Sequence, residues 1–180
     1  MSKHRPEHTA PADLFYNEEE AAKYTSNSRM IHIQSQMTER CLELLALPQK
    51  ENESAAATDS LAVEPHLLLD IGCGSGLSGS ILEQAGHFTV GVDISKDMLE
   101  VGRQNVKGDL LVGDIGQGFG FRAGMFDGAV SVSALQWLCY SDKKEHRANK
   151  RLGDFFQSLY RCLRRGARYE SNLFSSCFSV

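Results

Sequence analysis

The residues whose types and spacing could do chemistry begin at Asp70. In Asp70-Ile71-Gly72-Cys73-Gly74-Ser75-Gly76 an acid stands two residues ahead of three alternating glycines, directly after the apolar run Leu67-Leu68-Leu69. Glycines carry no Cβ, so such a backbone can approach a ligand closely. The first turn of a helix that follows offers unpaired N–H groups and a positive dipole end. At the carboxyl end of a parallel strand, this is where open α/β sheets bind nucleotides. Two nucleotide classes compete for the turn. Gly74-Ser75-Gly76-Leu77-Ser78-Gly79 satisfies the dinucleotide pattern G-x-G-x-x-G, with Asp93 about 20 residues further on. A carboxylate at Asp70, however, would repel a pyrophosphate held by the same turn, and it favours the cationic end of S-adenosylmethionine. The pattern therefore points to a methyl donor before a dinucleotide, with a merely structural glycine turn as the third reading.

Further candidates sit where strands end. Asp93 closes an apolar run and could accept both ribose hydroxyl hydrogens; its alternative is a helix-capping role ahead of Ser95. Asp114 closes the next run and could read the adenine amino group. Ile94 and Ile115, each following an acid, could sandwich the adenine ring or simply belong to the core. Met98, on the helix after Ser95, and Ser131, at the end of a later strand, join the candidate cofactor site with Gly72, Cys73, Gly74 and Gly76. In Ser133-Ala134-Leu135-Gln136-Trp137-Leu138, Trp137 could stack on a base and Gln136 could hydrogen-bond one; ordinary packing is the alternative for Trp137. The basic positions Lys143, Lys144, Arg147, Lys150 and Arg151 could contact phosphate or form a solvated loop.

These residues need a scaffold, and the chain alternates strand and helix as a parallel sheet does. Residues 1–48 read as an N-terminal arm and helices. Leu14-Phe15-Tyr16 is an aromatic anchor, Glu18 to Tyr24 a short helix, and a longer helix follows Ser26 or Asn27, with Met30, Ile33, Met37, Cys41, Leu44 and Leu45 as its apolar stripe up to Pro48. That stripe packs on the sheet or shares in covering the cofactor. Residues 49–65, rich in Ala, Glu, Ser and Asp, read as a flexible insertion. The core, 66–168, opens with a strand at His66 or Leu67, followed by a helix over Leu77–Ala85. Strands at Phe88–Asp93, Asp109–Asp114 and Phe126–Val132 come next, then a helix from Asn149 to Arg164 with Leu152, Phe155, Phe156, Leu159, Tyr160 and Leu163 on one face. Residues 169–180 read as a divergent tail. The fold class expected is α/β, a Rossmann-like, mostly parallel sheet with helices on both faces.

Composition narrows the classes. The chain has 180 residues, 42% of them apolar, enough for a core of one domain. It contains no run of some 18 apolar residues, and its first residues lack the apolar middle of a signal peptide, so no membrane association is expected. Five cysteines without C-x-x-C spacing suggest neither a zinc site nor a disulfide framework, and a reducing compartment is expected. A net charge of −4 argues against gripping nucleic acid with the whole surface.

Several segments, in order, carry a family resemblance: Leu14-Phe15-Tyr16, Lys23-Tyr24, Asn27 to Ile31, Leu69 to Gly79, Gly113-Asp114-Ile115-Gly116-Gln117-Gly118, and Ser133 to Cys139. Together they resemble the eukaryotic small-subunit (18S) rRNA guanine-N7 methyltransferases, class I enzymes that use S-adenosylmethionine. The match runs to about Arg168, apart from the insertion. The resemblance implies a nuclear and nucleolar enzyme of ribosome biogenesis, with a cytoplasmic share also open. It acts on small-subunit rRNA in pre-ribosomes and pairs with a small zinc-binding activator subunit. Guanine N7 already has a free lone pair, so no acid–base residue is assigned. The family's sheet has strand order 3-2-1-4-5-7-6. Here the turn Arg164-Arg165-Gly166 stands where the fifth strand should start, and Tyr169 to Val180 loses the apolar pattern, as in a truncated product. The expectation is that the last strands are missing and that Phe126–Val132 is left as an unprotected edge. The chain would then be poorly soluble or dimeric, and inactive. A makeshift fifth strand from Tyr169 on is disfavoured by its serines.

Overall fold

The computed structural model describes residues 10–48, 64–139 and 147–172. Five strands form one parallel sheet: β1 (Leu67–Ile71), β2 (Phe88–Asp93), β3 (Asp109–Val112), β4 (Phe126–Val132) and β5 (Leu163–Asn172), in the order β3-β2-β1-β4-β5. β1 lies at the centre, with Leu67 beside Phe88 of β2 and Leu68 beside Gly128 of β4. Its apolar run is continuous because both faces are covered. Leu69 and Ile71 join Val90, Val92, Phe126, Phe155 and Leu159 on one side. Leu68 joins Leu82, Val130, Val132, Cys41 and Leu45 on the other.

Helices supply that cover. At the N-terminal end stand α1 (Ala12–Phe15), α2 (Glu18–Ser26) and α3 (Ser28–Leu45); α4 (Leu77–Gln84) and α5 (Lys96–Gly102) follow β1 and β2, and α6 (Ala148–Cys162) precedes β5. Asn17 and Asn27 cap α2 and α3, each side chain accepting from a backbone N–H at 3.1 Å. Ser95 caps α5 through Met98 N–H at 3.2 Å. These are the side-chain acceptors that helix starts require. Among the described residues no helix is long and apolar enough to cross a membrane.

Three expectations are corrected. First, β4 is no open edge: β5 pairs with it from Phe126 beside Leu163 to Val132 beside Asn172. Arg164-Arg165-Gly166 is an irregularity inside the strand, where two steps along β4 face five along β5 and Gly166 takes φ +84°. A bulge absorbs surplus residues without ending the pairing, and Tyr169 is partly buried against the α6 side of the core. The premise of an edge-driven dimer falls with it; residues 173–180 of the expected tail lie outside the described residues, as do 49–63 of the expected insertion. Second, α3 buries Gln34, Thr38, Cys41 and Leu45, whereas Leu44 is exposed. Two polar side chains can face inward because they are satisfied: Thr38 Oγ1 donates to Gln34 O at 2.8 Å, and Gln34 Nε2 donates to Ser133 Oγ at 3.2 Å. Third, α6 buries Phe155, Leu159 and Cys162 and leaves Tyr160 84% exposed.

Candidate functional site

The carboxyl ends of β1 and β2 build a floor. Gly72 and Cys73 donate their N–H groups to Val92 O at 2.8 and 3.2 Å, so the glycine turn prolongs the sheet before it folds over. Gly72 and Gly74 sit at φ +70° and +50°, the left-handed region that favours glycine. A Cβ on Gly72 would stand 2.2 Å from Ala134 Cβ, and one on Gly74 would stand 2.9 Å from Met98 Cε. The turn is thus wedged between the residues after β4 and the start of α5. Asp93 ties it down: Gly74 N–H donates to Oδ2 and Ser95 N–H to Oδ1, both at 2.8 Å. Burial pushes the Asp93 carboxyl up, opposed by those backbone hydrogen bonds.

Above this floor lies a cavity of about 290 Å³, close to the lower bound for small-molecule sites. Gly72, Cys73, Gly74, Asp93, Ile94, Met98, Asp114, Ile115 and Trp137 all line it. Four other candidates do not. Asp70 is buried beneath the turn, where Ser78 Oγ donates to its Oδ2 at 2.7 Å while Oδ1 has no hydrogen-bond partner. Burial raises its carboxyl to about 7. Gly76 packs against Val106 and Gly102, and Ser131 and Gln136 are buried, their Oγ and Oε1 atoms without partners. Cys73 Sγ fills the space that a Cβ on Gly91 would need. Burial, and then the charges of Asp70 and Asp93, push its thiol far above the usual range.

The cover comes from distant parts of the chain. Ala12, Tyr16, Tyr24 and Gln34 close over the cavity from the N-terminal side. Ser95 Oγ donates to Tyr16 O at 2.7 Å, latching this segment to the turn after β2. Tyr16 also sets its ring 5.6 Å from Trp137 and 6.0 Å from Tyr24, and Phe15 lies 5.8 Å from Trp137. Trp137 therefore packs in an aromatic cluster and borders the cavity at once. Burial, and then the Asp93 charge, raise the Tyr24 phenol to about 12.

At the far wall, Arg151 of α6 reaches Asp114, Nη2 to Oδ1 at 2.7 Å, with both side chains largely buried. Arg147, Lys150 and Arg151 line a second cleft on the other side of Asp114, and Lys150 pairs with Asp154 at 2.6 Å. Lys143 and Lys144 lie outside the described residues. The sequence reading missed Tyr24, Gln34 and Arg151 as cavity residues. Tyr24 belongs to the Lys23-Tyr24 motif, Gln34 lies beside the apolar stripe of its helix, and Arg151 reads as one more charge in a basic run.

A central parallel strand, a crossover to β4 and a cavity over the glycine turn at the switch point define a nucleotide-binding α/β fold of the class I methyltransferase type. Residues 69–169 match the family described as methyltransferase domain, and the chain belongs to it. It is similar to the 18S rRNA (guanine-N(7))-methyltransferase of Arabidopsis thaliana, 54% identical over 91% of this chain and 53% of that protein. It is similar also to the 18S rRNA (guanine(1575)-N(7))-methyltransferase of Saccharomyces cerevisiae, 45% identical over 94% of this chain and 57% of that one. A solved complex between the Haloferax volcanii Trm112 methyltransferase activator and a putative methyltransferase shares the fold, with a TM-score of 0.54 and 19% identity over 84% of this chain and 59% of that chain. The resemblance read from the sequence motifs thus holds, and the chain spans about half the length of the curated relatives it matches.

Proposed function

We propose that the chain binds S-adenosylmethionine and belongs to an enzyme that methylates N7 of a guanine in small-subunit rRNA. The observation that carries the donor half is the anchored Asp93: its two oxygens hold Gly74 and Ser95 at 2.8 Å, and it borders the cavity with acceptor capacity to spare for ribose hydroxyls. The surroundings fit the donor. Glycines 72 and 74 admit no Cβ, Ile94, Met98 and Ile115 offer apolar surface for a purine, and Asp114 offers a carboxylate to its amino group. Asp70, being buried below the turn, supports the site by holding Ser78 rather than by touching the ligand. The guanine half rests on the 45–54% identity to the rRNA methyltransferases.

S-adenosylmethionine, when bound, supplies an electrophilic methyl group. Guanine N7 needs no deprotonation, so the chain's task is placement and charge. Placement comes from the wedged turn and the aromatic cover, which hold both partners within reach of an in-line path. Asp93 and Asp114 keep negative charge beside a cationic ligand. Trp137, on the cavity wall next to the residues after β4, is the base-stacking candidate; Gln136 would have to leave its buried position to reach a base. A small zinc-binding activator subunit as partner, and work in the nucleus and nucleolus, complete the reading; both follow from the resemblance.

Calorimetry with S-adenosylhomocysteine tests the donor half. Charge-assisted hydrogen bonds to ribose contribute roughly 1.5–3 kcal/mol, so Asp93→Ala should bind at least about 10-fold more weakly. NAD should give no heat. Labelled methyl transfer to small-subunit pre-ribosomes, with the activator subunit present and the product scored as 7-methylguanine, tests the rest. Tight NAD binding, or a wild-type chain indifferent to S-adenosylhomocysteine, would overturn the donor reading.

A further inference from the structure

Asp114 is held asymmetrically. Its Oδ1 accepts from Arg151 Nη2 at 2.7 Å and from Gly116 N–H at 2.9 Å, whereas Oδ2 has only a long contact, 3.4 Å, from Gln117 Nε2. One oxygen is anchored and the other is left for the cavity that Asp114 lines. The anchor is deep: the Arg151 and Asp114 side chains are only 11% and 15% exposed. It is also tightly seated. A Cβ on Gly116 would stand 2.3 Å from Arg151 Nε and 2.6 Å from Nη2, so the guanidinium lies directly on the Gly116 backbone. Its Nε is buried without a hydrogen-bond partner. A buried donor is left unpaired only where something else fixes the group, and here that is the seat on Gly116 together with the single bond to Asp114.

We propose that Arg151 is a positioning residue that sets the base selectivity of the nucleoside site by fixing Asp114 as an oriented acceptor. The inference rests on the donor reading above. A carboxylate can accept only, so one fixed in orientation welcomes the amino group at position 6 of adenine and repels the carbonyl oxygen that hypoxanthine carries there. Without Arg151 the carboxyl is free to turn aside from the group at position 6, because Oδ1 keeps only the Gly116 N–H. Discrimination would then fall while the ribose contacts at Asp93 persist. Recognition of one hydrogen-bonding group by a fixed buried partner is the kind of contact that yields strong discrimination.

Titrating the 180-residue chain with S-adenosylhomocysteine and with S-inosylhomocysteine tests this, with thermal melts run on each variant. The wild type should prefer the adenosyl ligand by about 10-fold or more, the scale of one charge-assisted hydrogen bond. Arg151→Met should lose most of that preference, as the oriented bond to the adenosyl amino group and the repulsion of the inosyl carbonyl both fade, and Arg151→Lys should retain part of it. Gly116→Ala changes no charge but takes the guanidinium's seat, and should behave like Arg151→Met; it carries the test if Arg151→Met fails to fold. Equal weakening of both ligands with the preference intact in Arg151→Met and Gly116→Ala would mean a purely structural pair and overturn the proposal. A wild type that binds both ligands equally would overturn it too, leaving the donor reading in place. Binding of neither ligand would instead remove the donor reading itself.

Discussion

The floor and the cover of the cavity are built by different means. The floor is backbone: Gly72, Cys73 and Gly74 give their N–H groups to Val92 and Asp93, within two adjacent strands and the turns that follow them. The cover is side chain: Tyr16, Tyr24, Gln34, Trp137 and Arg151 arrive from α2, α3, α6 and the flanking turns, and meet through rings, one latch and one ion pair. A floor of this kind tolerates almost no added volume, because its atoms are already at contact distance. A cover of this kind can loosen one contact at a time.

The largest effect should come from forcing volume into the floor. Gly72→Val puts a β-branched side chain at φ +70°, with its Cβ 2.2 Å from that of Ala134. Overpacking and left-handed strain together should cost about 3 kcal/mol or more, lowering the melting temperature by roughly 6–12 °C for a chain of this size. A melt unchanged within about 2 °C would show that the floor yields as the cover does.

Next comes the charge beneath the floor. Burial raises the Asp70 carboxyl from an ordinary value of 3.8 to about 7. The folded state therefore holds this proton more tightly than the unfolded chain, and the associated stability, complete below pH 4, is lost as pH rises through 7. Between pH 4.5 and 8 the wild type should lose stability relative to Asp70→Asn, by an amount on the order of 2–4 kcal/mol. Urea melts of both proteins at the two pH values check this; parallel curves would refute it.

The smallest effect should come from the cover's latch. Ser95→Ala removes the cap of α5 and the bond to Tyr16 O, together about 1–2 kcal/mol. Amide exchange should accelerate across residues 12–26 while β1 and β4 keep their protection. Equal acceleration in the sheet would erase the distinction between the two regions.

The same division decides how much the sequence discloses. β2 and β4 run from Phe88 to Asp93 and from Phe126 to Val132, as their apolar runs indicate, and the glycine turn lies where its spacing puts it. Those features are coded by local pattern. The buried Gln34 and Thr38 are not, because their inward placement depends on partners, one of them Ser133, 99 residues away. Arg151 is hidden for a like reason: the Gly116 backbone and Asp114, 37 residues away, distinguish it from its solvated neighbours. β5 is concealed because Arg164-Arg165-Gly166 reads as a turn and the serines after Tyr169 disfavour a strand, whereas a bulge and the ion pair of Arg164 with Asp127 carry the strand through it. Asp70 was placed by charge toward the ligand, and its Ser78 bond holds it below the turn instead.

One consequence follows from Cys73. The residue lines the same cavity as Asp93 and Met98 while its sulfur packs on Gly91, and a thiolate is the strongest nucleophile that an ordinary side chain provides. On the proposed reading of a methyl-sulfonium ligand, an ionised Cys73 would be a competing nucleophile within the chain itself. Burial against Gly91 and the nearby carboxylates hold it as a neutral thiol. The negative surroundings that would suit the proposed cationic ligand thereby also hold this competing nucleophile protonated.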